Sequence, residues 1–225
     1  ERIVEREREL FLSLREELFS EVATLLHVSA ELAEVDYFHS LAWAATSNGY
    51  SRPVLLEEPE LTVADGRHPV VEHHLPAGAF VANSLELGSD TVPARFALIT
   101  GPNMAGKSTY LRQNALIALL THMGSFVPAD SARVGLVDRL FCRVGASDNL
   151  ARGESTFLLE MNETSNILRS ATPRSLVIMD EVGRGTSTND GLAIAQAVSE
   201  HLLEALGSRT LFATHFHELT AMERS

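Results

Sequence analysis

Phe96-Ala97-Leu98-Ile99-Thr100 runs directly into Gly101-Pro102-Asn103-Met104-Ala105-Gly106-Lys107-Ser108, and the reading of this stretch decides the fold. The apolar run reads as a buried strand. The segment from Gly101 to Ser108 fits G-x-x-x-x-G-K-[ST], a loop whose amides cradle phosphate while Lys reaches the β/γ-phosphates and Ser holds Mg²⁺. From Ser108 to Leu120 there is no Gly or Pro. Leu111, Ala115, Ile117, Ala118 and Leu119 give that segment the apolar content of a helix. Its N-terminus would point at the phosphates, where free amides and the helix dipole favour an anion. Lys107 is also the only lysine among 18 basic residues, the rest being arginine. A primary ammonium is kept where nucleotide phosphates give it specific work, so the loop implies nucleotide binding.

A second motif stands downstream. Leu176-Val177-Ile178-Met179 makes a central strand whose C-terminal end delivers Asp180 and Glu181 to the crevice where ligands bind in such sheets. Asp180 is placed to hold Mg²⁺ through its water shell, and Glu181 to polarise an attacking water as general base. The plainer alternative is a strand ending in an acidic turn. Between the two motifs, Gly153-Glu154-Ser155-Thr156-Phe157 opens a helix over 156–170. Ser155 is either its N-cap or part of an anion site built from a hydroxyl and free amides. Gly183 to Gly191 reads as a polar glycine-rich loop, either a connector or a subunit contact. Leu211-Phe212-Ala213 predicts a strand beside the Asp180-Glu181 strand, with His215 at its tip able to hydrogen-bond the γ-phosphate. His215 with His217, or His73 with His74, could suggest a metal pair, but no Cys or carboxylate completes either at zinc spacing.

Strand, loop and helix alternate from Phe96 onward, which predicts an α/β fold: a mostly parallel central sheet covered on both faces. A hairpin-like pair is expected near 133–137 and 140–144. Short strands are expected around 61–63, 70–71 and 80–82. Residues 1–48 read as a separate helical segment, with Leu10, Leu14, Leu18 and Val22 at helical spacing and a second stretch over about 30–46. Asn48-Gly49 through Pro53 is turn chemistry and marks the boundary, leaving 49–225 as the second domain. The formal charge is −12 and no basic run is present, so strong direct DNA binding by these residues is not expected. No apolar stretch approaches the roughly 18 residues needed to span a membrane. One cysteine, Cys142, excludes an internal disulfide, fits a reducing cytoplasm and is expected to be buried beside Phe141. The chain lacks an initiator Met and a signal-peptide core, which suggests a fragment or a processed form.

Taken together, GPNMAGKSTYLRQ at 101–113, DRLFCRVGASDNL at 138–150, STFLLEM at 155–161, LVIMDEVGRGTST at 176–188 and LFATHFHELT at 211–220 resemble the ATPase domain of the MutS family of DNA mismatch-repair proteins. That domain is a P-loop NTPase related to ABC-transporter nucleotide-binding domains. DGRHPVVE at 65–72 and FVAN at 80–83 extend the match, so motifs of this kind cover about 70% of the chain. Residues 1–48 look like the end of the family's lever helices. The resemblance implies an Mg²⁺-dependent ATPase. Its phosphate loop is lined by Asn103, Met104 and Ala105, with Thr109 near the α-phosphate. Phe80, which from its own sequence would read as core, is implied to stack on adenine, and His215 matches the family's switch histidine. Ser155 is implied to reach the γ-phosphate of the opposite subunit's site, and Asp190 to lie in a loop crossing the dimer interface. Asn149, where the family often has Asp, and Glu154, where a basic or neutral residue is common, depart from the family pattern; both leave binding intact and alter the charge near that site.

The partners implied are a second copy of the ATPase domain, mismatched DNA held by domains outside this chain, and a downstream repair protein of the MutL type. The implied location is the bacterial cytoplasm, on the nucleoid when DNA is bound. The implied role is to couple nucleotide state at a two-subunit site to mismatch recognition and clamp movement. One rival is a nucleotide-gated dimerisation element with little turnover. Another is a MutS relative without mismatch recognition. A transporter or chromosome-structure ATPase would need LSGGQ-like residues where Ser155-Thr156-Phe157 stands.

Overall fold

A computed structural model describes residues 2–102, 105–144 and 156–224. The chain divides into two compact units, Glu1–Ser47 and Asn48–Ser225. The first consists of helix α1 (Arg2–Ser20) and most of α2 (Val22–Asn48). The break between them falls at Glu21, well before the expected second stretch. It is bridged by bonds from Glu21 N–H to Leu18 O and from Leu25 N–H to Glu21 O. Leu10, Leu14, Leu18, Leu25 and Leu26, which form the apolar stripe, are all exposed.

The second unit carries two four-stranded sheets. Strands β1 (Val54–Leu56), β5 (Ser131–Gly135), β2 (Leu61–Gly66) and β3 (Asn83–Leu87) form a mixed sheet in that spatial order. Only its β1–β5 pair is parallel. The other sheet is parallel throughout, in the order β4 (Phe96–Thr100), β8 (Arg209–Thr214), β7 (Leu176–Asp180), β6 (Leu140–Arg143). Helix α4 (Lys107–His122) buries Leu111, Ile117 and Ala118 in a core that also takes Leu61, Val63 and Val134 from the mixed sheet and Ile178, Leu211 and Ala213 from the parallel one. The opposite face of the parallel sheet supplies Val177, Met179 and Phe212 to a second core. There they meet Ile167 of α5 (Thr156–Ser170) and Ala195 and Val198 of α6 (Thr188–Glu200). Every residue of β7 is buried because its two faces feed two cores, which is why the strand reads as an unbroken apolar run.

Several expectations change in physical detail. The segments around 133–137 and 140–144 are not a hairpin. β5 joins the mixed sheet and β6 the parallel one, and the guanidinium of buried Arg209 donates to Gly135 O and Leu136 O at the point where the chain changes sheets. Residues 70–71 are helical, not extended. Helix α3 (Pro69–His74) has Pro at its first turn, and His68 Nδ1 accepts from Val71 N–H. β3 begins at Asn83 rather than at Phe80. The polar loop after β7 is shorter than expected: Ser187 caps α6 by accepting from Asp190 N–H, which starts the helix at Thr188. α6 then passes into a π-helical turn, His201–Leu206. Cys142 lies exposed on the outer strand β6 instead of buried. β4 is likewise an outer strand and only half-buried.

Candidate nucleotide site

Three neighbouring parallel strands end side by side. Thr100 of β4 is in register with Thr214 of β8, and Ala213 of β8 with Asp180 of β7. The glycine-rich loop, His215 and the Asp180-Glu181 pair therefore leave the sheet along one edge, the carboxyl edge where α/β proteins bind ligands. β8 lies between the other two strands, so His215 emerges between the loop and the two carboxylates. It is exposed, with its ring 4.1 Å from that of Phe216.

Gly106 begins α4 with φ 88°, a left-handed value that a Cβ-bearing residue adopts only under strain. Among the described residues no side chain caps this helix, which leaves its leading amides on the loop side without a side-chain partner there. Lys107 is 9% exposed. Its ammonium donates to Gly101 O at 2.6 Å and Pro102 O at 3.0 Å, both carbonyls of the loop itself. A cavity of about 500 Å³ opens beside it, lined among others by Phe80, Ala105, Gly106, Lys107, Thr109 and Tyr110. Phe80, half-buried, thus shares a cavity with the phosphate loop rather than lying in either core. The floor is fixed from below, where Tyr110 Oη donates to Ser84 O at 2.9 Å and Gln113 Nε2 to Asn83 O at 3.4 Å. Burial pushes the Tyr110 phenol above its ordinary pKa, with a hydrogen bond to Asn114 opposing.

Asp180 is 5% exposed, and its Oδ1 is buried without a hydrogen-bond partner among the described residues. A buried, unpaired carboxylate oxygen beside a lysine-bearing loop is costly unless a cation or its water shell meets it. With the partly buried hydroxyl of Ser108 on the first turn of α4, this donor set suits hard Mg²⁺. Glu181 follows with φ 56°, a left-handed conformation for a non-glycine residue. Its amide donates to Ala213 O at 3.0 Å, and its Oε2 accepts from Arg184 at 2.9 Å. Arg184 is 71% exposed and Glu181 18%, so the pair sits at the solvent edge and holds weakly.

The structure thus brings together Gly101, Pro102, Ala105, Gly106, Lys107, Ser108, Thr109 and Phe80 around the loop. Asp180, Glu181 and His215 stand on the neighbouring strand ends. Asn103, Met104, Asn149, Glu154 and Ser155 lie outside the described residues. Asp190 sits exposed on the first turn of α6, where its carboxylate accepts from Ser187 Oγ at 2.6 Å. Sequence reasoning missed Glu160, a buried acid on α5 whose Oε1 accepts from Gly183 N–H, and its buried counter-ion Arg143. The available signal was an acid within the apolar run Phe157-Leu158-Leu159-Glu160-Met161, where a charge is expected only with a partner.

The model of MutS domain V matches residues 97–225. The DNA mismatch repair protein MutS of Treponema pallidum (strain Nichols) is 58% identical over 224 residues, covering 99% of this chain and 25% of that protein. The protein of the same name from Syntrophobacter fumaroxidans is 54% identical over 227 residues, covering 100% and 25%. The one from Synechococcus sp. (strain JA-2-3B'a(2-13)) is 55% identical over 221 residues, covering 98% and 25%. The chain spans about a quarter of the length of the curated relatives it matches. Over most of the parallel sheet and its helices, and at high identity throughout, the chain belongs to the MutS family of DNA mismatch-repair proteins, with residues 97–225 forming its domain V.

Proposed function

We propose that this chain binds and hydrolyses ATP, and that it is the module through which a mismatch-repair protein converts nucleotide state into movement on DNA. The observation that carries this reading is the meeting, on one edge of a parallel sheet, of the open α4 N-terminus with Lys107, the unpaired Asp180 oxygen and the outlying Glu181. The backbone amides of Gly101 to Thr109, Pro102 excepted, are the groups that would wrap the phosphates, with Asn103, Met104 and Ala105 as the proposed lining of the loop. Lys107 exchanges its two carbonyl partners for phosphate oxygens, a stronger charge-assisted interaction. Phe80, which lines the same cavity, is proposed to stack on adenine. Ser108 and Asp180 hold Mg²⁺, which when bound neutralises charge on the phosphates. Glu181 accepts a proton from the attacking water as general base, and His215 donates a hydrogen bond toward the γ-phosphate.

Ser155 belongs to the same proposal as the group that completes a second subunit's site, so the working unit is a homodimer. The relatives carry the name DNA mismatch repair protein. Mismatched DNA is accordingly proposed as the distant ligand, contacted by segments other than this acidic chain, with a repair protein of the MutL type downstream. Calorimetric titration of ATP with Mg²⁺ tests the central step. Lys107→Ala should weaken binding by about 10- to 100-fold, the range of a lost hydrogen bond to a charged group. Unchanged affinity would remove the phosphate-loop assignment.

A further inference from the structure

Glu181 holds a left-handed backbone, and the residues after it must keep it there. On one side its own amide is tied to β8 through Ala213 O. On the other, Val182 is 1% exposed, and Gly183 N–H, which is not part of any strand ladder, donates to Glu160 Oε1 on α5. Glu160 is 4% exposed, so its charge is costly to bury without a counter-ion. Arg143 at the end of β6, 6% exposed, provides one: its guanidinium lies 3.8 Å from Glu160 and 2.9 Å from Glu163, one turn further along α5. A second contact joins the same two elements. A Cβ on Gly185 would lie 2.9 Å from Cβ of Phe157, on the first turn of α5, so the loop rests directly on that helix. Gly183 in turn lies against the backbone of Gly191, where a Cβ would come within 2.5 Å of the carbonyl oxygen. The loop carrying Glu181 is therefore gripped by α5 at two points and by α6 at a third.

Resting on the ATPase reading, we infer that Glu160 is a positioning residue: through Gly183 N–H, and with Arg143 as its counter-ion, it fixes the placement of the Glu181 carboxylate. Any displacement of the first turns of α5 is then passed to the general base. An apolar residue would fill the same space more cheaply, but it would leave Gly183 N–H buried and unpaired. Glu160→Gln keeps an oxygen acceptor for Gly183 and loses the charge facing Arg143. Glu160→Ala loses both.

The test is steady-state ATP hydrolysis by the full chain, with hydrogen exchange at 182–185 as an independent readout. Glu160→Ala should lower kcat by about 10- to 100-fold, the scale of a small misplacement of a reacting group. KM should stay within about twofold, because nothing on the phosphate loop changes. Glu160→Gln should fall between Glu160→Ala and wild type, and Gly183 exchange should quicken in the same order. Gly185→Ala supplies a variant with no buried charge left behind. Its added methyl pushes the loop off Phe157 and should reproduce the kcat loss with KM kept. A folded Glu160→Ala or Gly185→Ala chain with wild-type kcat overturns the inference, as does a loss that only tracks the folded fraction. Lys107→Ala separates the two levels. Turnover that survives in Lys107→Ala removes the ATPase reading and this inference with it. Turnover lost in Lys107→Ala yet intact in Glu160→Ala removes only the coupling.

Discussion

Lys107 and Glu181 each occupy a position that their chemistry alone disfavours. Lys107 keeps an ammonium at 9% exposure with two carbonyls as its hydrogen-bond acceptors, so its charge remains available to an anion. Glu181 accepts a left-handed backbone, a conformation that costs a residue with a Cβ about 1 kcal/mol or more. Strain of that kind persists where the surroundings over-determine it, and here the surroundings are β8 and the Gly183–Glu160 contact. Two variants separate the chemistry of Glu181 from its backbone. Glu181→Ala should bind ATP with wild-type affinity and lose hydrolysis by about 100-fold or more, measured as released phosphate. Glu181→Gly should melt higher than Glu181→Ala, since only glycine relieves the φ, by an amount equivalent to about 1 kcal/mol. An alanine variant more stable than the glycine variant would contradict the strain. The sequence motif identifies Glu181 as an acid after a strand. Its backbone angle is not legible there, because φ is set by where β8 and α5 hold the chain.

The elements legible in sequence are those whose local pattern decides their extent. β4, α5 and β7 fall where their apolar runs and flanking polar residues put them, although β4 is half-buried at the sheet edge, and α4 begins one residue before the expected helix, at Lys107. The misread elements are those decided by a single cap or by distant partners. Val70-Val71 has β-branched residues, but Pro69 and the His68 cap impose a turn of helix, a local hydrogen bond outweighing propensity. The two strands at 131–135 and 140–143 resemble a hairpin in sequence because nothing local says that their partners lie in different sheets. α6 starts early because Ser187 caps it, a signal that was present and went unused. Ser187→Ala should lower stability by about 1 kcal/mol, read as a fall in Tm, without altering ATP affinity, since the cap lies beyond the phosphate loop. No change in Tm would mean that the cap is idle.

Within the unit Asn48–Ser225, a buried cation links the two sheets in addition to the core they share under α4. Arg209 starts β8 with none of its surface exposed. It donates to Glu60 O, Gly135 O, Leu136 O and Arg174 O, and burial lowers its pKa to about 10. It stays protonated at neutral pH, so the link holds across the physiological range. Arg209→Met should cost about 3 kcal/mol, because the carbonyls of Glu60, Gly135, Leu136 and Arg174 lose their donor together. Urea unfolding would measure it, and a neutral result would remove Arg209 as the joint. The same strand ends at Thr214, directly before His215, so the joint lies on the element that leads to that residue. A net charge of −12 does not suit a surface that tracks DNA phosphates. The most direct test of ATP hydrolysis at this site is Mg²⁺-dependent phosphate release from saturating ATP, followed over a wide range of protein concentration for wild type and Glu181→Ala side by side. Specific activity that rises with concentration in wild type and is absent from Glu181→Ala is the predicted result. Equal release by the two proteins, or none from wild type at any concentration, would contradict it.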